Sequence, residues 1–204
     1  MTLRFVLATA NPDKAEEIVT VLRDAGAPID LEPSDPSFPD VEETGATLEE
    51  NARLKAVAVA MHTGFPAIAD DTGLEVDALD GAPGVRSARF AGEQATYADN
   101  VNLLLERLAD VPAPGRTARF ATVAIARWPD GQEIAALGTV EGTIAPEPRG
   151  DHGFGYDPVF VPDEGDGRTF AEMQPDEKHA CSHRGRAFRT LAEGLRAVSN
   201  ATGA

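Results

Sequence analysis

Cysteine is almost absent: Cys181 is the only one in 204 residues. No internal disulfide is available, and a reducing compartment, the cytoplasm, is the default expectation. Long apolar runs are missing too, which argues against a membrane-spanning helix, and the opening MTLRFVLATANPDK lacks the layout of a signal peptide. Positive charge is scarce. Eighteen Lys and Arg against 34 Asp and Glu leave a net charge of −16, which disfavours a nucleic-acid partner, since such binders neutralise phosphates with a basic surface. A chain of this balance that binds phosphate does so in a local pocket. Lysine is the rarest cation, with Lys14, Lys55 and Lys178 against fifteen arginines, and each lysine falls in a stretch that stands out for other reasons. A lysine ammonium is the compact charge a phosphate pocket can use. There is no repeat, low-complexity tract or zinc-type Cys/His spacing. What is present is ordinary: 42% hydrophobic and 25% charged residues predict one globular domain, 1–204, with enough chain to bury a core.

The stretch Ala67 to Gly92, AIADDTGLEVDALDGAPGVRSARFAG, organises the rest. A short apolar run ends on two adjacent carboxylates, Asp70 and Asp71, and Thr72-Gly73 is a turn signal, so the pair is predicted where a strand gives way to a loop. Strand ends are where open α/β sheets bind ligands. Adjacent carboxylates repel, and a chain that keeps them beside apolar residues supplies a metal or a Lys/Arg. The alternative is a solvated acidic turn in an acidic chain.

Leu3 to Ala8 reads as a strand, with Asn11 and Pro12 as N-cap and first residue of a helix whose Ile18, Val21 and Leu22 face inward. A strand feeding a helix N-terminus offers backbone N–H groups and a positive dipole end. Thr9, Asn11 and Lys14 add side-chain donors, making either a triphosphate cradle or a plain structural turn. Ile29 to Glu32 reads as a short strand and Pro33 to Asp40 as a proline-punctuated loop. Thr47 and Glu50 form a capping box for a long helix closed by Gly64. On it Asn51 and Lys55, four apart, share a face that can meet Glu42 and Glu43. Leu74 to Leu79 reads as a further strand, and Arg86 and Arg89 as ion-pair partners or phosphate ligands near the acidic region. A helix from Thr96 and a hairpin at Pro129-Asp130-Gly131 are scaffold. In GDHGFGYDPVFVP, 150 to 162, Gly153 and Gly155 allow Phe154 to approach a planar ligand with Asp157 as acceptor, or else mark a glycine turn with a core phenylalanine. Lys178, Ser182, His183 and Arg184 cluster before a closing helix as a site for an anion or a carbonyl oxygen.

Five blocks in series, LATANPDK (7–14), EETGATLEENARLKA (42–56), the stretch 67–92, GFGYDPVF (153–160) and EKHACSHRGRA (177–187), resemble the non-canonical purine nucleoside triphosphate pyrophosphatases nearly end to end. The resemblance implies a single α/β domain, an elongated mixed sheet flanked by helices with two lobes around a central nucleotide cleft, assembled as a homodimer. It implies Mg²⁺-dependent hydrolysis of ITP, dITP and XTP to the monophosphate and pyrophosphate. It places the triphosphate on the turn Thr9, Ala10, Asn11, Pro12, Asp13 and Lys14, and Mg²⁺ on Glu43 and Asp71, with Glu42 as the alternative to Glu43. Asp71 is the implied general base, with Lys55 beside it. The remaining implied substrate contacts are Thr72, where the family more often has serine, Phe154, Gly155, Tyr156, Asp157, Lys178, His183 and Arg184. His179 replaces the usual asparagine and Cys181 the usual aliphatic residue. These residue types also fit hydrolysis at an α-phosphorus without the analogy: a carboxylate for the water, and Mg²⁺ and lysines for the charge. Donors such as His183 and Arg184 favour a 6-oxo purine over adenine. A pyrophosphatase for modified pyrimidines and a catalytically silent nucleotide-binding module are the alternative readings.

Overall fold

The computed structural model describes residues 3–33 and 41–202. Residues 34–40 of the predicted proline-punctuated loop lie outside the described residues. In chain order the elements are β1 (Leu3–Leu7), α1 (Pro12–Asp24), β2 (Ile29–Pro33), α2 (Leu48–Thr63), β3 (Ala67–Val76), β4 (Pro83–Gly84), α3 (Tyr97–Arg107), β5 (Thr117–Arg127), β6 (Glu133–Ile144), β7 (Phe160–Pro162), α4 (Pro175–Cys181) and α5 (His183–Thr202). The seven strands form one open sheet in the order β2-β1-β3-β5-β6-β7, with β4 on β3. It is a mixed sheet: β1 is parallel to β2 and β3, whereas β4 is antiparallel to β3 and β7 to β6. No described helix is long and apolar enough to cross a membrane.

Helix ends follow local chemistry. Asn11 caps α1 through its side chain with Pro12 in the first turn, and α2 starts on the Thr47/Glu50 capping box and stops at Gly64, whose φ of 70° is left-handed.

The chain divides into two compact units, one made of Met1–Asp71, Thr122–Gly138 and Arg184–Ala204, the other of Thr72–Ala121 and Thr139–His183. Each has its own core. In the first unit Phe5, Ile18, Val21, Leu22, Ile68, Phe188, Leu191 and Leu195 pack together, and Trp128 meets Phe5 edge-on at 5.2 Å. The second unit is centred on Leu74, Val101, Leu104, Phe120, Tyr156, Phe160 and Phe170. Burial of this kind stabilises by roughly 25 cal/mol per Å² of apolar surface removed from water, and it fixes both cores beneath the polar groups described below.

β3 does not stop at Asp70-Asp71. It runs unbroken from Ala67 to Val76, buried or half-buried throughout. The separate strand predicted from Leu74 is its second half, with Leu74 and Glu75 opposite Gly84 and Pro83 of β4, and Asp77–Leu79 then turns off as a 3₁₀ helix. Cross-strand pairing holds Thr72-Gly73 extended where local propensity alone suggested a turn. It is β1 that ends first: Leu7 lies opposite Ile68, and the Ala8 N–H donates to the Ile68 carbonyl at 2.7 Å. Asp70 and Asp71 therefore extend past the carboxyl end of β1, the placement that ligand sites in α/β sheets favour.

Candidate functional site

In the first unit, the turn from Thr9 to Lys14 is ordered by its own side chains. The Asn11 Oδ1 accepts the N–H groups of Asp13 and Lys14 at 2.9 and 3.2 Å, and the Thr9 Oγ1 accepts that of Asn11 at 3.2 Å. Ala10, Pro12 and Asp13 are exposed and Thr9 is half-buried. The Lys14 Nζ lies 3.3 Å from the Asp70 Oδ2. On the same oxygen, at 3.7 Å, is Nη2 of Arg184, whose Nη1 donates to the Glu17 Oε2 at 2.5 Å. Lys14, Asp70, Arg184 and Glu17 thus form a buried chain of two cations and two anions. Arg184, 2% exposed, is among the largest fully buried side chains. An uncompensated charge at that depth is strongly unfavourable, which is why Glu17 and Asp70 must both be there. Burial lowers the pKa of Lys14; Lys55 and Arg184 push it the same way, and the pull of Asp70 and Asp71 opposes them only in part.

Asp71 meets different partners. Successive side chains of a strand point to opposite faces, so the two adjacent carboxylates, which would crowd one another in a turn, are separated by the strand itself. The Asp71 Oδ1 is 3.3 Å from the Lys55 Nζ, and its Oδ2 accepts from the Asn51 Nδ2 at 3.2 Å; the Asn51 Oδ1 in turn accepts the Gly45 N–H at 2.8 Å. Lys55 also donates to the Glu43 Oε1 at 2.7 Å, while Glu42 is exposed. Burial raises the pKa of Asp71 above the ordinary carboxylate value; Lys55 and Lys14 work against this and Glu43 and Asp70 reinforce it. Burial works to lower Lys55 as well, but Asp71, Asp70 and Glu43 together outweigh it and hold its ammonium above the usual lysine value. Among the described residues, no group of three or more His, Cys, Asp or Glu side chains is arranged to hold a metal.

The second unit is aromatic. Thr72 opens its part of β3 and is half-buried. The Asp157 Oδ2 accepts both the Phe154 N–H at 2.8 Å and the Lys178 Nζ at 2.5 Å. Asp157 and Lys178 are 2% and 3% exposed. Gly153 is needed for this contact: its φ is +69°, and a Cβ there would fall 2.1 Å from the Asp157 Oδ2. The predicted acceptor Asp157 thus spends one oxygen fixing the aromatic loop and the lysine. Half-buried Phe154 has the Lys178 ammonium 5.0 Å from its ring centroid and the Tyr97 ring at 5.8 Å. Gly155 is also half-buried, and Tyr156 is a core residue whose hydroxyl donates to the Ser87 carbonyl at 2.9 Å. His183 lies flat on Phe120, centroids 4.3 Å apart and planes 11° from parallel. Arg86 and Arg89 find Glu93, each at 3.7 Å.

Glu17, Tyr97 and Phe120 escape a reading of the sequence. Glu17 did leave one signal: it sits on the same stripe of α1 as Ile18, Val21 and Leu22, and a carboxylate on an apolar face needs a cation.

The model of the Ham1 family matches residues 5–194. The chain is 50% identical over 195 residues to the dITP/XTP pyrophosphatase of Streptomyces coelicolor, covering 95% of this chain and 97% of that protein. It is 48% identical over 196 residues to the dITP/XTP pyrophosphatase of Shigella flexneri, covering 95% and 98%. Among solved structures, a HAM1 protein from Coxiella burnetii superimposes with a TM-score of 0.85 at 44% identity, covering 95% of this chain and 98% of that one. The Staphylococcus aureus Ham1 protein gives 0.83 at 38% identity over the same shares.

Proposed function

The chain belongs to the Ham1 family, and from that premise we propose that it hydrolyses the non-canonical purine nucleoside triphosphates ITP, dITP and XTP to monophosphate and pyrophosphate, with the whole chain as one catalytic domain. The observation that carries the chemistry is Asp71: a carboxylate of raised pKa, flanked by a protonated Lys55, on a strand that outruns its neighbour. Burial makes it a better proton acceptor than a solvated carboxylate. In the proposed reaction a water oxygen forms a bond to the α-phosphorus and its proton passes to Asp71. The bond from that phosphorus to the α–β bridging oxygen breaks, and the electron pair leaves with pyrophosphate.

The donor set suits magnesium. Glu43 and Asp71 both reach the Lys55 ammonium, and Mg²⁺ takes one or two carboxylates and completes its shell with phosphate oxygens and water. Bound there, the ion would neutralise charge developing on the phosphates. The close contact of Glu43 with Lys55, against exposed Glu42, favours Glu43.

The chain's own cations do the rest. Lys14, in the first turn of α1 where the helix dipole is positive, holds the leaving phosphates. Arg184, engaged by Glu17 and Asp70, keeps Asp70 and through it Lys14 in place. Phe154 receives the purine, while Lys178 and the ring edge of His183 favour a 6-oxo group. We also assign a homodimer and a cytoplasmic setting. Leu54 and Met61, seven residues apart on α2 and 38% and 70% exposed, offer a second copy an apolar face.

The test is pyrophosphate release, with Mg²⁺, from ITP, XTP, ATP, GTP and dTTP, run beside Asp71→Asn. Release from ITP and XTP, reduced about 10²- to 10⁴-fold in kcat by the substitution, is expected. No pyrophosphate from any nucleotide would leave a silent binding module, and release from dTTP alone a pyrimidine enzyme.

A further inference from the structure

We propose that Tyr97 is a second aromatic wall of the base subsite, so that the planar purine is selected by Tyr97 and Phe154 together. This rests on the reading that Phe154 receives the base.

Exposure is the starting point. Of the large apolar side chains left exposed among the described residues, Val19, Leu54, Met61, Phe65 and Leu137 belong to the first unit, and Tyr97, 41% exposed, is the one in the second. The cap of its helix does not use the ring. Tyr97 is the first residue of α3, whose start is already secured by Thr96 and Asp99: the Asp99 Oδ2 accepts from the Thr96 N–H and hydroxyl at 2.8 and 2.6 Å, and the Thr96 Oγ1 accepts the Asp99 N–H at 3.2 Å. The inward face of α3 is supplied by Val101 and Leu104. The mounting is also firm. Buried Asn100 accepts the Ala91 N–H at 2.8 Å and donates to the Ala88 carbonyl at 3.1 Å, tying α3 to the preceding loop.

The ring pair itself is poorly suited to its own company. Tyr97 and Phe154 are within interaction range at 5.8 Å, but their planes meet at 38°, neither offset-stacked nor edge-to-face. The two rings are close enough for one flat heterocycle to touch both. Phe154 is held in place meanwhile by the Asp157 carboxylate on its N–H. A phenol adds a donor and acceptor at its tip, but the face is what a purine needs.

Steady-state kinetics on ITP test this with Tyr97→Ala, Tyr97→Phe and Phe154→Ala, using inorganic tripolyphosphate as a competitor that has no base. Loss of one stacking ring is expected to raise KM for ITP roughly ten-fold in Tyr97→Ala, with kcat within about two-fold of the parent and the inhibition constant of tripolyphosphate unchanged. Tyr97→Phe should keep the parental KM. An unchanged KM in Tyr97→Ala beside a raised one in Phe154→Ala overturns the role of Tyr97 and leaves the base site standing. No change in either variant removes the reading of Phe154 itself. A tripolyphosphate constant that rises in step with KM makes Tyr97 a mere support of the fold and overturns the proposal.

Discussion

The charged group around Asp70 and Asp71 and the aromatic group around Phe154 are built on opposite plans. The first joins Lys14, Asp70, Arg184 and Glu17 in one run of ion pairs and Glu43, Lys55 and Asp71 in another, with Asn51 as a neutral hydrogen-bond donor, so almost every side chain there carries charge. The second sets the Asp157–Lys178 ion pair among the rings of Tyr97, Phe120, Phe154, Phe170 and His183. A triphosphate and a purine make the same pair of demands. Phosphates need charges already in position, because buried ions cannot reorient cheaply. A planar base needs faces and one or two donors. Each cation of the charged group is therefore restrained by a carboxylate, whereas the rings are restrained by packing.

If that division is right, removing a carboxylate should hurt more than removing a ring. The largest effect is expected from Glu17→Gln, which removes the negative charge 2.5 Å from the buried Arg184 guanidinium. Breaking one side of a buried pair costs roughly 3 kcal/mol or more, to be read as a fall in Tm and in the urea midpoint. Wild-type stability in this variant would mean that Asp70 alone neutralises Arg184.

An intermediate effect should appear with pH. The pKa of Lys14 is lowered, so its ammonium is present below that pKa and is lost as pH rises through it. A profile of kcat/KM, which reports the free enzyme, should decline on the alkaline side at a pH below the ordinary lysine value of 10.5. Lys14→Arg, which stays charged, should abolish the decline. A limb that persists in that variant belongs to some other group.

The smallest effect is expected from Phe120→Leu in the aromatic group. It removes the ring beneath His183 but keeps an apolar filling, so it should cost about 1 kcal/mol in chemical denaturation. A loss as large as that of Glu17→Gln would erase the contrast between the two plans.

Local chemistry was legible in the sequence and long-range pairing was not. Asn11-Pro12, the box at Thr47 and the threonine at 96 announce helix starts because cap and capped groups lie within a few residues. Asn51 and Lys55 were readable as one face, and both reach Asp71. Thr72-Gly73 misled, since a local turn signal carries no information on the sheet that keeps β3 extended from Ala67 to Val76. Asp157 is an acceptor, as its place beside the aromatic loop suggests, but one of its oxygens is occupied by Lys178, 21 positions on. Of the two roles open to Arg86 and Arg89, the ion pair is seen, with Glu93, a residue nearby in the chain. No spacing rule connects Glu17 with Arg184.

That last bond has a consequence for biosynthesis. Its two ends lie 167 positions apart, so Glu17 leaves the ribosome long before its counter-charge exists. Throughout that interval α1 must wait with a carboxylate on its apolar face, solvated and unable to bury fully. Sealing of the first unit around Lys14 and Asp70 thus comes late in translation, and a chain stalled before α5 emerges would expose α1 to quality-control proteases.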